Sequence, residues 1–224
     1  LQHLLQAAPA LPAERLRLHD AGGRTLASDI ISAQSLPPFD NSAMDGFALR
    51  ANGMALASGT EFAVQGWQAA GDDGTVGGEG AWEIMTGARM PTGLDTVVPV
   101  EQVEILQRHE GRPTRIALRA DVSPGQHVRL RGQDVRTDEQ LMPAGRTLGI
   151  NEQTLLYATG VGSVQVQPRP RVAVIATGKE LVSDAGQALE SGQIRDSNRP
   201  YLVARLEAAG ADVVWQGVVG DEVS

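Results

Sequence analysis

Short runs in which apolar and polar residues alternate fill most of the first two thirds of the chain, and this pattern predicts strands. Residues 16–31 predict two short strands about a Gly22-Gly23 turn. A short helix is expected over Asn151–Gly160, with Asn151 as its N-cap and Gly160 just past its end. Four runs between these segments, each bounded by Gly or Pro, predict further strands: AWEIMTG (81–87), DTVVPVEQVEIL (95–106), TRIALRA (114–120) and HVRLRG (127–132).

The pattern changes after residues 167–170 (QPRP). RVAVIATG (171–178) is a nearly continuous apolar run, which is typical of a strand buried on both faces. Residues 198–209 carry apolar positions at helical spacing, and ADVVWQGVVGD (211–221) is a second buried-type strand. Strand, helix and strand form a βαβ unit, so the last part predicts the start of a parallel α/β domain. We therefore expect a multi-domain α+β protein and, because this unit is incomplete, a fragment of a longer chain.

Composition narrows the function classes. The 224 residues include 27 acidic side chains against 19 Lys and Arg, for a formal net charge of −8, and no cysteine. The acidic balance argues against a general nucleic-acid binder, although a few cations in one cleft can still bind an anionic substrate. No apolar run reaches the roughly 20 residues that span a bilayer. We expect a soluble, cytoplasmic protein with neither a nucleic acid nor a membrane as partner.

Polar residues gather where the strands of the βαβ unit end. Thr177 to Glu180 follow the first strand, Asp221 follows the second, and residues 196–198 open the helix between them. Ligands bind beyond the carboxyl ends of parallel strands, and exposed helix N–H groups favour an anion. Glu180 and Asp221 could then hold Mg²⁺ against a phosphate. The alternative is that Asp196 or Ser197 only caps the helix, and that Glu180 and Asp221 are solvated loop residues.

Two further polar groups lie upstream. Asp40 to Gly46 place two acids, an amide and a hydroxyl in one turn after a proline pair, and Thr86-Gly87-Ala88 closes a predicted strand. Arg129, Arg131 and Asp134 surround Gly132. Any one of these groups alone is also an ordinary turn sequence.

Taken together, the motifs resemble the molybdopterin molybdenumtransferase family, which includes the E domain of gephyrin. The matching segments run in family order across nearly the whole chain: PPFDNSAMDGFALR (37–50), EIMTGARMPTGLDTVVPVEQ (83–102), VRLRGQDV (128–135), PAGRTLG (143–149), VAVIATGKELV (172–182), GQIRDSNRPYL (192–202) and GVVGDE (217–222). The resemblance implies a β-rich domain inserted in a small linking domain, followed by a molybdopterin-binding α/β domain. The expected division is the tail of an N-terminal helix (1–14), the linking domain (15–32 and 134–168), the inserted domain (33–133) and the beginning of the α/β domain (169–224).

The resemblance also implies the reaction and its residues. The expected activity is insertion of molybdenum from molybdate into adenylated molybdopterin with release of AMP, assisted by Mg²⁺ on Glu180 and Asp221. The catalytic positions of the family map onto Asp45, Thr86, Asp134, Glu180 and Asp221. Residues expected to bind the substrate are Asn41, Ser42, Arg131, Thr177, Ser197 and Asn198. The resemblance further implies a homodimer in which the β-rich domain of one subunit and the α/β domain of the other form the site together. It also implies that a molybdopterin adenylyltransferase supplies the substrate.

Two other functions fit parts of the sequence. One is a pterin-binding or scaffolding protein that keeps the fold without turnover, although the five acid and hydroxyl positions favour an enzyme. The other is an adenylyltransferase or nicotinamide-nucleotide deamidase that shares the α/β domain. The upstream MDGFA and MTGA segments argue against this second alternative.

Overall fold

A computed structural model describes residues 11–74 and 77–220. The expected N-terminal helix tail therefore lies almost entirely outside the described residues. Two α-helices are described, α1 (Ile150–Ala158) and α2 (Asn198–Ala208). The strands, in chain order, are β1 (Glu14–Arg17), β2 (Ile30–Ile31), β3 (Asn41–Ser42), β4 (Gly46–Leu49), β5 (Glu61–Gln68), β6 (Ala81–Ile84), β7 (Thr96–Pro99), β8 (Val103–His109), β9 (Arg112–Leu118), β10 (Val128–Arg129), β11 (Gln140–Met142), β12 (Ser163–Val166), β13 (Arg171–Thr177), β14 (Leu181–Val182), β15 (Ile194–Arg195) and β16 (Asp212–Val219).

The chain divides into two compact units. Among the described residues, the first contains 11–29, 142–154 and 162–220, and the second contains 30–74, 77–141 and 155–161. The described structure is mostly β with few helices, as expected for a multi-domain α+β chain. The four-part division expected from the sequence stays a prediction. Neither described helix has the length and apolar character that a membrane crossing needs.

The second unit is built on a six-stranded sheet in the order β7-β4-β6-β5-β9-β8. The β5–β6 pair is parallel and the other neighbours are antiparallel. All four residues of β4 are buried, because Phe47 and Leu49 pack into one apolar cluster while Ala48 packs into another. Side chains alternate between the two faces of a strand, so these clusters lie on opposite faces of the sheet. This burial makes β4 the central support for the residues at its ends.

Asp95 fixes the turn that follows β4. Its carboxylate accepts hydrogen bonds from the Ala51 N–H (2.7 Å), the Asn52 N–H (2.9 Å) and the Thr96 hydroxyl (3.0 Å). Burial raises the pKa of Asp95, but these hydrogen bonds outweigh burial and leave the pKa below its ordinary value of 3.8. The charged carboxylate therefore accepts the hydrogen bonds that a backbone carbonyl would otherwise accept from this turn. Asn52 in the turn has a φ of 53°.

The first unit contains the βαβ arrangement expected near the end of the sequence. Strands β13 and β16 are parallel, and α2 lies between them in the chain. Strand β1 pairs antiparallel with β12, and β14 pairs parallel with β15. Within the described residues, Val174 on β13 is buried whereas Ile175 is 59% exposed. Burial of this strand on both faces stays a prediction.

Two local expectations from the sequence are met only in part. The turn at Gly22-Gly23 is present, with β1 before it and β2 after it, but β1 pairs with β12 and β2 pairs with β11, so the two strands do not form a hairpin. Helix α1 begins at Ile150 instead of after a cap at Asn151. The Glu152 carboxylate, in the first turn of the helix, accepts a hydrogen bond from the Gly149 N–H at 3.1 Å. This contact satisfies a backbone donor at the start of the helix. Gly160 follows the helix with a φ of 75°, as expected.

Candidate functional site

Asp45 and Thr86, two of the predicted catalytic residues, contact each other at one end of β4 and β6. The Asp45 Oδ1 atom accepts hydrogen bonds from the Thr86 N–H (2.7 Å) and from the Thr86 hydroxyl (3.1 Å). Both residues are exposed. The Val100 N–H also donates to the Asp45 carbonyl oxygen at 3.1 Å, which fixes the backbone of the acid. The structure thus brings together two residues that are 41 positions apart in the chain.

The glycine after Asp45 is required by space. A β carbon added to Gly46 would lie 1.9 Å from the Val98 carbonyl oxygen of the neighbouring strand β7. Only a residue without a side chain permits this approach. The turn that carries Thr86 is fixed in a similar way, because the Gly87 N–H donates to the Ser42 carbonyl (2.8 Å) and the Ala88 carbonyl accepts the Ser42 N–H (3.0 Å). The backbones of these motifs hold the acid and the hydroxyl at one place.

Asn41 and Ser42, which are expected to bind the substrate, have their side chains engaged within their own turn. Both residues are buried. The Ser42 hydroxyl donates to the Met44 carbonyl at 2.6 Å and accepts the Met44 N–H at 3.2 Å, while the Asn41 amide donates to the Phe39 carbonyl at 3.2 Å. These contacts shape the turn that presents Asp45. Substrate binding by either side chain stays a prediction.

A cavity of about 480 Å³ opens beside Asp45. Residues with side chains of different chemistry line it, including Asp45, Trp67, Glu83, Arg108 and Arg112. Sequence reasoning identified Asp45 but missed the other four, which come from β5, β6 and the β8–β9 hairpin. No local motif marks them. The sequence shows only a tryptophan and several charged residues within strand-like runs. These residues indicate a shared cavity only when the strand pairing is known.

Asp134 and Arg131 lie in the second unit but do not line the cavity beside Asp45. Asp134 forms an ion pair with Arg129, in which both side chains are nearly half exposed. The Arg131 N–H donates to the Asp40 carboxylate at 2.7 Å. Asp134 lines a separate, open cavity, and Arg131 lines another with Asp40. The structure therefore does not bring these two residues to Asp45 within this unit.

The second group of predicted residues lies at the carboxyl end of β13, in the first unit. Thr177 and Lys179 are exposed, and Gly178 between them has a φ of 142°. The Glu180 carboxylate turns back over this glycine, since a β carbon at Gly178 would lie 2.6 Å from one of its oxygens. The carboxylate therefore covers Gly178, which is itself buried.

The start of α2 combines a capping acid with two exposed polar residues. The Asp196 carboxylate accepts the Arg199 N–H (3.0 Å) and Arg199 Nε (2.7 Å), and these contacts with Arg199 lower the pKa of Asp196. Ser197 makes no capping hydrogen bond with its side chain. The predicted substrate-binding residues Ser197 and Asn198 are both exposed, so their side chains are accessible to a ligand at this helix end.

The expected metal site involves Glu180 and Asp221. Asp221 lies outside the described residues, and no cluster of three acids or histidines occurs within 11–74 and 77–220. Mg²⁺ binds proteins through one or two carboxylates together with substrate phosphates, so it does not need such a cluster. Glu180 is partly buried, and its carboxylate, which lies over Gly178, is a hard oxygen donor of the required kind. The described donor therefore fits the ion.

Comparison with known proteins identifies the chain's relatives. Residues 1–160 match the family profile "MoeA N-terminal region (domain I and II)", and residues 173–224 match "Probable molybdopterin binding domain". The chain is 38% identical over 212 residues to molybdopterin molybdenumtransferase 2 of Mycobacterium tuberculosis and 36% identical over 209 residues to molybdopterin molybdenumtransferase of Synechococcus elongatus. These alignments cover 92% and 91% of this chain. The chain spans about half the length of these curated relatives, 51% and 50%.

A solved structure extends the likeness to the fold. The molybdopterin biosynthesis MoeA protein from Pyrococcus horikoshii aligns with a TM-score of 0.84 at 30% identity, over 99% of this chain and 59% of that one. The profile match over residues 1–160 covers well over half of the 224 residues, and the order of the matched motifs agrees with the resemblance seen in the sequence. This chain belongs to the MoeA family.

Proposed function

We propose that this chain is part of a cytoplasmic molybdopterin molybdenumtransferase, which inserts molybdenum from molybdate into adenylated molybdopterin and releases AMP. Family membership and the molybdenumtransferase activity of the named relatives support this activity. The observation that carries the proposal is the pair of hydrogen bonds from Thr86 to the Asp45 carboxylate, at the edge of a cavity large enough for part of such a substrate. A scaffolding role gives no reason for this arrangement.

The proposed roles follow from the chemistry of the residues. Thr86 engages Asp45 Oδ1 through both of its donors, and Oδ2 makes no hydrogen bond within the described residues, so it is available to orient a water or a substrate group. Glu180 and Asp221 would hold Mg²⁺, which supplies positive charge to the phosphoanhydride when it is bound. Thr177, Ser197 and Asn198 would donate hydrogen bonds to the phosphates or the nucleotide. Asp134 and Arg131 would approach the substrate from the β-rich part.

The proposed assembly is a homodimer in which Asp45 of one subunit and Glu180 of the other serve the same substrate. Asp45 belongs to the second unit and Glu180 to the first. The proposed architecture is a β-rich domain inserted in a linking domain, followed by the molybdopterin-binding α/β domain. A molybdopterin adenylyltransferase would supply the adenylated substrate, because the reaction consumes an adenylate that another enzyme must form.

The test is AMP release from adenylated molybdopterin by the protein made from its complete gene, with and without molybdate. We expect release only with molybdate, and a loss of at least about 100-fold in Asp45→Ala and Glu180→Ala, because each removes a charged group from the reacting centre. Glu104→Ala and Glu190→Ala, which remove exposed acids elsewhere in the same two units, serve as matched controls. Full activity in both site variants would refute the residue assignment.

The same variants test the shared site. Mixing Asp45→Ala subunits with Glu180→Ala subunits should restore part of the activity, because one of the two sites in each mixed dimer then has both acids. An absence of rescue, in a sample where subunit exchange is verified by mass, would contradict action across the dimer. Tight binding of the substrate without any turnover in the unmodified protein would instead support the scaffolding alternative.

A further inference from the structure

The cavity beside Asp45 has a row of three large side chains along one face of the sheet. Glu83 on β6 is paired with Phe47 on β4 and with Trp67 on β5. Residues at paired positions of adjacent strands point to the same face, so Glu83 lies between the two aromatic rings. All three residues line the cavity. The register of the sheet thus places an acid and an exposed aromatic side by side next to Asp45.

The aromatic member of this row is available for stacking. Trp67 is 46% exposed although it is the kind of side chain that normally contributes to a core. The Arg112 guanidinium lies 4.8 Å from the centre of the Trp67 ring, which holds the indole and adds a positive charge to the cavity wall. A flat aromatic heterocycle stacks well on a tryptophan held in this way.

The acidic member of the row has a free hydrogen-bonding edge. Glu83 is partly buried, and its carboxylate makes no hydrogen bond or ion pair with any residue in the described part of the chain. The two nearby arginines are engaged elsewhere, since Arg108 donates to the Gly111 carbonyl at 2.8 Å and Arg112 stacks on Trp67. A partly buried carboxylate gains from two parallel N–H donors, which satisfy both of its oxygens at once.

We propose that this cavity binds the 2-amino-4-oxo heterocycle of the pterin substrate, with Trp67 stacking on the ring and Glu83 accepting its N–H donors. The inference rests on the proposed function, which brings the reacting part of the substrate to Asp45 at the edge of the same cavity. A 2-amino-4-oxo ring has an amino group beside a ring N–H, and this pair of donors matches a carboxylate. Adenine has an acceptor nitrogen beside its amino group, so the carboxylate repels that edge. Glu83 is therefore a specificity-determining residue that selects the pterin end of the substrate over the adenine end.

The cavity size agrees with this assignment. Small-molecule sites enclose about 300–1,000 Å³, and the cavity volume of about 480 Å³ is near the lower end of that range. A single fused ring system fits such a volume, whereas the whole adenylated substrate needs more space. The remainder of the substrate would extend past Asp45.

A binding experiment without turnover tests the inference. Free pterin is titrated with the protein made from its complete gene, and the quenching of pterin fluorescence by stacking on tryptophan reports binding. AMP and GMP compete in separate arms. We expect pterin to bind at least tenfold more tightly than AMP, and more tightly than GMP, which has the same donor edge on a different ring system.

Variants assign the effect to residues. Glu83→Gln should weaken pterin binding about tenfold or more, since it replaces one acceptor oxygen by a donor and opposes one of the two N–H groups. Trp67→Leu should weaken it about fivefold or more and abolish the quenching. The control Glu104→Gln changes an exposed acid of the same sheet that does not line the cavity. Trp67→Phe keeps an aromatic face and should bind within a few-fold of the unmodified protein, which guards against misfolding as the cause.

The outcomes separate this inference from the proposed function. Equal affinity for pterin and AMP, tighter binding of GMP, or unchanged pterin binding in Glu83→Gln would each overturn the inference. Selective, Glu83-dependent pterin binding supports it even where AMP release fails. Molybdate-dependent AMP release with unaltered pterin selectivity in Glu83→Gln would support the proposed function and reject the role of Glu83.

Discussion

Gly46→Ala is a direct test of the geometry that presents Asp45. The added β carbon would lie 1.9 Å from the Val98 carbonyl oxygen, 2.8 Å from the Val98 carbonyl carbon and 2.9 Å from Pro99 Cα. Carbon–oxygen contacts of the closest favourable kind are about 3.3–3.6 Å, so β4 and β7 must separate by more than 1 Å. All three atoms belong to the backbone of β7, which is paired with β4 and buried, and they cannot rotate away. The strain therefore acts on the sheet itself.

The expected size follows from that displacement. Overpacking in a close-packed interior costs about 1–3 kcal/mol, and a clash with backbone lies at the upper end, so we expect the free energy of unfolding to fall by about 3 kcal/mol. In a protein of this size the melting temperature changes by about 2–4 °C per kcal/mol, which gives a decrease of about 6–12 °C. Gly78→Ala is the matched control, because a β carbon there meets nothing within 4 Å and Gly78 has no positive φ.

The assay must report on the second unit alone. Trp67 and Trp82 belong to that unit and Trp215 belongs to the first, so a Trp215→Phe background restricts tryptophan fluorescence to the sheet that contains β4. Urea unfolding of Gly46→Ala and Gly78→Ala in this background gives the two unfolding free energies. Surface substitutions usually change the free energy of unfolding by less than about 0.5 kcal/mol. If the two variants differ by no more than that, the inferred close approach of β4 and β7 is incorrect.

Two further predictions concern Thr86 in the second unit and Asp196 in the first. Thr86→Val removes the hydroxyl donor to Asp45 but keeps the backbone donor, so the rate of AMP release should fall about tenfold or more. Thr86→Ser keeps the hydroxyl and should release AMP at a nearly normal rate. Equal rates in the two variants would contradict the role of the hydroxyl. The pKa of Asp196 is lowered by its contacts with Arg199, so its stabilising effect is complete above the ordinary value of 3.8 and is lost as the pH falls below it. Asp196→Asn should therefore cost about 1 kcal/mol at neutral pH and flatten the acid limb of the stability curve, whereas an unchanged acid limb would refute this linkage.

Local motifs singled out Asp45 and Thr86, and the structure shows that these two residues hydrogen-bond to each other. Asp45 and Thr86 are in turns whose glycines and small residues restrict the backbone, and such local constraints can be read from a few consecutive residues. Helix α2 was predicted for the same reason, since its apolar spacing and closing glycine are local signals. Local constraint is also why Asp196 was recognised as a residue at the start of that helix.

Other features depended on partners far along the chain. Strands β1 and β2 have the pattern of a hairpin, but each pairs with a strand more than 100 residues away. Glu83 and Trp67 could not be identified from the sequence, because a carboxylate and an indole in strand-like runs are equally consistent with a solvated face. Their proximity comes from a register in which β5 and β6 run parallel with an irregularity before Gly66. No local pattern encodes that irregularity.

The sequence by itself determined the family, the order of the elements and the turns that carry Asp45, Thr86 and Glu180, because these depend on short-range steric and hydrogen-bonding constraints. Only the tertiary structure decided that Asp45 shares a cavity with Trp67 and Glu83, and that Asp134 lines a different one. The physical reason is that strand pairing joins distant segments through backbone hydrogen bonds that are the same for every residue type. Register is then chosen by the burial of whole faces, which no single segment specifies alone.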